Sequence, residues 1–218
     1  MRAEFVTSAV DAAGFPRERL RELPLVGRSN VGKSSLINAL VRLTVARTSA
    51  APGKTRLANF YRVTPDGTPP FYLVDLPGYG YARGGDAARR EFNAIADAYF
   101  SRGAAEARNE RHRDADVRQH GQVCGVLHLI DGRHPGVDSD RHAAEWLRRL
   151  TIPRLVVVTK VDKLTQSERV KNVRELERLH EGPVLGVSSQ TGEGLKELWK
   201  TIDALLRQQP PSTDPKHA

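Results

Sequence analysis

Cysteine is nearly absent from this chain: Cys124 is the only one, and it sits inside an apolar run. A lone thiol can form neither an internal disulfide nor a multi-cysteine zinc framework, so a disulfide-stapled secreted scaffold and a zinc-ribbon architecture are excluded. Within its apolar surroundings Cys124 reads as a buried, inert thiol. No uninterrupted apolar stretch approaches the roughly 18 residues that a membrane-spanning helix needs. The first residues include Glu4 and Asp11 and have no apolar h-region, so no secretory signal is expected. Internal repeats are also lacking. Together these absences point to a cytoplasmic protein with no membrane partner.

What is present is ordinary in amount and unusual in sign. Of 218 residues, 39% are hydrophobic and 28% charged, the balance of a soluble globular chain long enough to bury a sizeable core. This length suits one α/β domain with appendages. Lys and Arg total 34 against 26 Asp and Glu, for a net charge of +8. Such a surplus favours contact with nucleic acid or another polyanion. The alternative is an arginine-rich surface that only keeps the chain dissolved.

The most informative stretch is Gly27-Arg28-Ser29-Asn30-Val31-Gly32-Lys33-Ser34, which fits G-x-x-x-x-G-K-[ST]. The apolar run Leu23–Val26 precedes it, and Leu36, Ile37, Leu40 and Leu43 follow at helical spacing. A strand, a glycine loop and a helix make the arrangement a phosphate chain requires. Gly27 and Gly32 let backbone N–H groups turn inward, and the helix adds the positive end of its dipole. Lys33 is expected to reach the β- and γ-phosphates, and Ser34 to give its hydroxyl to Mg²⁺.

Around this loop the chain alternates strand and helix. Residues 1–20 read as a short strand or arm, with the charged run Arg17-Glu18-Arg19 near its end. The stretch from Thr48 to Arg56, with Pro52 and Gly53, reads as a loop. Leu57–Val63 and Phe71–Val74 read as strands joined by a turn-rich hairpin connection. A helix is expected from Ala87 to about Phe100, and a polar surface insertion at about 102–121. Val123–Ile130 reads as a central strand. Asp138–Leu150 reads as a helix capped by Asp138 or Ser139. A strand at 154–158, a helix at Ser167–Leu179, a short strand at Val184–Val187 and a closing amphipathic helix through Leu195, Leu198, Trp199, Ile202, Leu205 and Leu206 follow. The tail from 208 to 218 is proline-rich and is expected to be disordered. The fold class is α/β: a P-loop NTPase, small-GTPase-like, three-layer fold, with a mostly parallel sheet and helices on both faces. The nucleotide-binding domain is expected over 21–207.

Three further motifs fall at strand ends, where ligands bind in open α/β sheets. Asp75-Leu76-Pro77-Gly78 fits D-x-x-G: the aspartate holds Mg²⁺ through its water shell, and the glycine N–H meets a γ-phosphate. Thr159-Lys160-Val161-Asp162 fits [NT]-K-x-D, in which the Asp162 carboxylate accepts from guanine N1–H and the 2-amino group. Adenine lacks that donor pair. The Lys160 stem packs along the base. Val187-Ser188-Ser189-Gln190 offers backbone N–H to the guanine O6. All of these in order imply a GTP-binding fold.

Within that class the chain resembles the EngB (YihA/YsxC) family, of the TrmE–Era–EngA–YihA–septin branch of P-loop GTPases. The resemblance rests on GRSNVGKSSLINAL (27–40), PGKT (52–55), DLPGYGYA (75–82), RHP (133–135) and TKVDKL (159–164), and spans about 20–207. It implies a monomeric GTPase that binds the large ribosomal subunit through rRNA and ribosomal proteins, acts late in its assembly, and is needed for normal cell division and septation. Two other readings stay open: a regulatory GTPase acting on a protein partner of the division machinery, and a GTP-binding scaffold with little turnover. It also carries GTP or GDP, with Mg²⁺ as cofactor, onto Gly53, Lys54, Thr55, Arg56 and Leu57, with Thr55 a second metal ligand beside Ser34. Three features depart from the family pattern: Arg56 in place of glutamine, Gly132 in place of a larger residue, and the longer polar insertion.

Lys33, Thr55 and Gly78 are therefore the expected catalytic set, with release of Thr55 and Gly78 as the switch. Tyr79 stands where many GTPases place a water-orienting glutamine, so slow intrinsic hydrolysis, stimulated by a partner, is expected. Asn30 sits where related GTPases help to hold K⁺, which raises the expectation of K⁺ stimulation; equal rates in Na⁺ and K⁺ would refute it. His128 reads as a core histidine, and His134 is assigned no chemistry. Tyr79 and Tyr81 either contact a partner or pack locally; the residues alone do not choose.

Overall fold

The computed structural model describes residues 1–47, 57–79, 94–101 and 123–208. Among the described residues seven strands, β1 (Arg2–Ala9), β2 (Arg21–Gly27), β3 (Ala58–Thr64), β4 (Phe71–Asp75), β5 (Val126–Asp131), β6 (Arg154–Thr159) and β7 (Val184–Gly186), make one sheet. Its order is β1-β3-β4-β2-β5-β6-β7. The β1–β3 and β3–β4 pairs are antiparallel, and the rest are parallel. The helices are α1 (Lys33–Val41), α2 (residues 94–101), α3 (Asp138–Arg148), α4 (Gln166–His180) and α5 (Leu195–Arg207).

Strands buried on both faces look continuous in sequence, yet their side chains still alternate. Leu23, Leu25, Leu73, Leu127, Leu129 and Val157 point to the face covered by α1 and α5, where Leu36, Leu40, Leu198 and Ile202 meet them. Val26, Tyr72, Val74 and Val126 point to the other face, against Tyr99 of α2 and Leu147 of α3. Ile130, Val156 and Val158 continue that face to Leu176 of α4. The expected three-layer, mostly parallel arrangement is what the chain forms.

Several boundaries differ from the sequence reading, each for a physical reason. Residues Val123–Gly125 do not join β5 because β2 carries Pro24, which has no N–H to offer. Between the Glu22–Val123 bridge and the Leu25–Leu127 pair the β5 side holds one extra residue, a bulge beside the proline. Strand β4 extends to the charged Asp75 because it still pairs there with both β2 and β3. Neither Asp138 nor Ser139 caps α3; the cap position is Val137, and Asp138 and Asp140 occupy the first turn instead. Helix α4 starts one residue earlier than expected, at Gln166, behind a full capping box of Thr165 and Glu168.

The first residues are a strand: β1 pairs with β3 along its length, with a bulge between Phe5 and Thr7. Glu18 of the charged run accepts from Arg62 Nε at 3.1 Å and from the Tyr72 hydroxyl at 3.2 Å. The expectations for Gly53, Lys54, Thr55, Arg56, Tyr81, the start of the helix at Ala87, the polar insertion and the tail beyond Gln208 lie outside the described residues.

Candidate functional site

Every candidate loop among the described residues leaves the sheet at the C-terminal edge of a strand. The first follows β2. Gly27 is required there by close approach, because a Cβ would lie 2.8 Å from both the Leu129 carbonyl oxygen and Val31 Cγ1. Gly32 is required by conformation: its φ of +109° lies in the left-handed region, and no atom lies within 4 Å of where a Cβ would be. It is the cap residue of α1, and no side chain caps that helix. The first-turn amides of α1 are thereby left for an anion. Asn30 is also left-handed, at φ +62°.

Lys33 and Asp75 are both buried, with Nζ and Oδ1 4.0 Å apart. Nζ also donates to the Gly27 carbonyl at 3.3 Å. Burial pulls the Lys33 ammonium below its ordinary pKa, opposed by Asp75. Burial likewise pushes the Asp75 carboxyl up, opposed by Lys33 and by the Ser34 hydroxyl. Ser34 Oγ donates to Asp75 Oδ2 at 2.7 Å, while Asp75 Oδ1 is buried with no protein hydrogen bond. A buried carboxylate oxygen that accepts no hydrogen bond and faces Lys33 only at ion-pair distance, beside a serine hydroxyl, fits a hard divalent cation with its water shell.

The loop after β4 lies across the P-loop. Ser29 N donates to the Tyr79 carbonyl at 3.1 Å, and Ser29 Oγ donates to the Gly78 carbonyl at 3.4 Å. A Cβ on Gly78 would sit 2.6 Å from Ser29 N, so only glycine permits this approach. Leu76 N donates back to Leu25 O at 3.3 Å and Leu76 is fully buried, which sets the path through Pro77. Tyr79 itself packs locally: it is buried, and its hydroxyl meets His128 and Asp140 in the core. His128 is a core histidine on the same face.

The third loop follows β6. Thr159 Oγ1 donates to the Val31 carbonyl at 2.7 Å, which ties this strand end to the P-loop. Lys160 takes a left-handed backbone at φ +61°, and its Nζ donates to the Asn30 carbonyl at 2.7 Å and to Asp131 Oδ2 at 2.9 Å. Val161 is buried and opens a short 3-10 turn, Val161–Lys163. Asp162 Oδ1 accepts from Ser188 Oγ at 2.7 Å, and this bond leads the lowering of its pKa. Ser188 Oγ in turn accepts from the backbone N–H of Gln190 and Thr191. Val187 N donates to Val158 O at 2.7 Å, so the Val187-Ser188-Ser189 turn is held beside Asp162. Leu57 stands just before β3 and is half-buried.

Several residues that motif reading passed over brace the site. Asp131, at the end of β5, gathers Lys160 and a bidentate Arg133 from the RHP segment. Burial opposes its ionisation most, but the hydrogen bonds from Arg133 and Lys160 outweigh this and hold the carboxyl well below its usual range. An acidic residue ending a central strand was the available signal. Gly132 next to it is closely packed: a Cβ would lie 3.0 Å from Val158 Cγ1 and 3.1 Å from the Thr159 carbonyl, so a larger residue there requires its neighbours to give by a few tenths of an ångström. Asn38 of α1 clips the chain beyond the helix, accepting from Val45 N and Ala46 N and donating to Ala46 O.

A family profile described as a 50S ribosome-binding GTPase matches residues 22–160. A probable GTP-binding protein EngB of Symbiobacterium thermophilum is 39% identical over 236 residues, covering 92% of this chain and 94% of its own length. The chain belongs to the EngB family. The Thermotoga maritima EngB protein agrees, at 38% identity over 209 residues and 94% and 96% coverage. Among solved structures, Aquifex aeolicus Era bound to GDP·AlF4⁻ superposes with a TM-score of 0.69 at 23% identity, over 89% of this chain and 60% of that one. A crystal structure of a probable GTP-binding protein EngB does so with a TM-score of 0.56 at 21% identity, over 86% and 99%. At such identities the superpositions speak for the fold, and the fold is that of P-loop GTPases. EngB membership makes GTP or GDP the ligand class and GTP hydrolysis the reaction class. No described helix is long and apolar enough to cross a membrane.

Proposed function

We propose that this EngB-family protein is a GTP-operated switch with slow intrinsic turnover that acts in assembly of the large ribosomal subunit, and that normal cell division and septation depend on it. The observation that carries the nucleotide half is the meeting, at one sheet edge, of buried Lys33, the Ser34–Asp75 pair and the Ser188-anchored Asp162. On this reading the P-loop amides of residues 27–34 cradle the phosphates and Lys33 bridges their β and γ oxygens. The Asp162 carboxylate, kept ionised and oriented by Ser188, reads guanine. Ser34 and Thr55 would hold Mg²⁺ directly and Asp75 through water, and the ion supplies neutralisation of the charge spread over the phosphates. Lys33, Thr55 and Gly78 act at the reacting phosphate. Gly53, Lys54, Arg56 and Leu57 complete the nucleotide's surroundings when Thr55 closes on GTP.

Tyr79 directs its hydroxyl into the core and so orients no water, which supports slow hydrolysis that a partner, or K⁺ held near Asn30, accelerates. The same observation favours a second reading, a GTP-binding scaffold with little turnover. The ribosomal half is supported by the net charge of +8 and by the family description as a 50S ribosome-binding GTPase. An Era structure contains MgGDPNP together with a segment of 16S ribosomal RNA, a precedent for this fold meeting rRNA.

Co-sedimentation with ribosomal subunits at fixed salt tests the proposal. A non-hydrolysable GTP analogue is expected to drive binding to the large subunit more than GDP or no nucleotide does. Binding that ignores nucleotide and dissolves in modest salt would reduce the charge to generic attraction. Turnover measured with added large subunits separates the switch, which accelerates, from the scaffold, which does not.

A further inference from the structure

A chain of polar contacts beneath the P-loop has no place in the scheme above. It links four elements: Arg28 of the P-loop, Tyr79 after β4, His128 of β5 and Asp140 of α3. The Tyr79 hydroxyl lies 2.9 Å from Asp140 Oδ1 and 2.8 Å from His128 Nε2. Arg28 Nε lies 3.1 Å from the same Asp140 oxygen. A carboxylate only accepts, so the single hydroxyl proton goes to Asp140, and Nε2–H of a neutral His128 donates to the hydroxyl oxygen. Tyr79, His128 and Asp140 are all buried.

Such a chain is a poor way to fill space. A phenylalanine and aliphatic neighbours would occupy the same volume without desolvating a carboxylate, and His128 Nδ1 and Asp140 Oδ2 are buried without hydrogen bonds. What the chain does accomplish is direction. The hydroxyl anchors the ring, the ring anchors the Tyr79 backbone in its bridge to Arg28, and Gly78 is thereby pressed onto Ser29. In that seat the Gly78 N–H has no hydrogen-bond partner among the described residues.

We propose that Asp140 and His128 are positioning residues: by holding the Tyr79 hydroxyl they seat Gly78 on the P-loop with its N–H presented to a terminal phosphate, and so bias the site towards GTP over GDP. The inference rests on the reading of Gly78 as the γ-phosphate donor. GDP has no γ-phosphate, so the bias is a difference between two ligands at one site.

Equilibrium binding of fluorescent GDP and of a non-hydrolysable GTP analogue tests it. Tyr79→Phe and His128→Leu are expected to weaken analogue binding ~5- to 10-fold, within the ordinary range of coupling between sites, while GDP binding holds. His128→Gln, whose amide N–H can still donate to the hydroxyl, is expected to restore most of the loss. A merely structural tyrosine would lower both affinities together or neither, and either result overturns the proposal. Gly78→Ala separates the two layers, since its Cβ cannot coexist with Ser29 N. If Gly78→Ala weakens the analogue and Tyr79→Phe does not, the positioning role fails and the Gly78 reading stands. If Gly78→Ala leaves analogue binding intact, the Gly78 reading fails as well.

Discussion

At the scale of single residues, chemistry that is local in sequence was legible and chemistry that is not local was hidden. Gly27, Gly32, Lys33 and Ser34 announce themselves because one turn of chain must supply them all. Tyr79 meets His128 and Asp140 across 49 and 61 residues. No spacing rule reaches that far, so the tyrosine's role was undecided until the fold brought its partners in. Asp162 belongs to the legible class, and its prediction is specific. Asp162→Asn exchanges a two-acceptor carboxylate for one acceptor and one donor, which suits the N1–H and 2-oxo group of xanthine. GTP affinity should fall on the order of 100-fold while xanthosine triphosphate gains, as competition binding would read. Unchanged preference for GTP would remove Asp162 from the base site.

At the scale of elements, hydrophobic pattern located strands and helices, and hydrogen bonding decided where they stop. β5 begins late because Pro24 faces it, and β4 ends on a charged residue because pairing continues. The start of α4 is legible in Thr165-Gln166-Ser167-Glu168, whose threonine and glutamate form a capping box one residue ahead of the expected start. That cap matters beyond its own turn: Asn172 of α4 donates to the Gly132 carbonyl at 2.8 Å, and Arg169 to the Val161 carbonyl at 2.9 Å, beside Asp162. Thr165→Ala should therefore cost about 1 kcal/mol of stability, as lost caps do. Urea unfolding followed by circular dichroism reads it, and a midpoint unmoved from the parent would show that the cap contributes nothing.

At the scale of the whole molecule, the face between the sheet and α3–α4 holds a buried pair of histidines, His128 and His180, with ring centroids 5.4 Å apart. Burial lowers both: His128 goes well below its ordinary value, and His180 to about 4, helped by Arg154 and Arg148. An unfolded chain protonates its histidines near 6.5, so between that pH and about 4 it binds more protons than the folded chain. The stability these groups contribute is complete above pH 6.5 and is lost as pH falls towards 4. Thermal unfolding across that window should show a falling midpoint, and His180→Gln should flatten the slope. An identical slope in the variant would assign the acid loss to other groups.

The two margins of the sheet have a consequence for how these molecules behave when crowded. On one side β7 is three residues long, too short to template another backbone. On the other, β1 presents exposed Phe5 and Val6, but its ladder is broken at that point and Arg2 and Glu4 flank it. A neighbouring chain seeking to extend the sheet meets a kink and charge at the longer border and little backbone at the shorter. The sheet is finished at both ends, and growth into fibrils is discouraged by the same residues that close the fold.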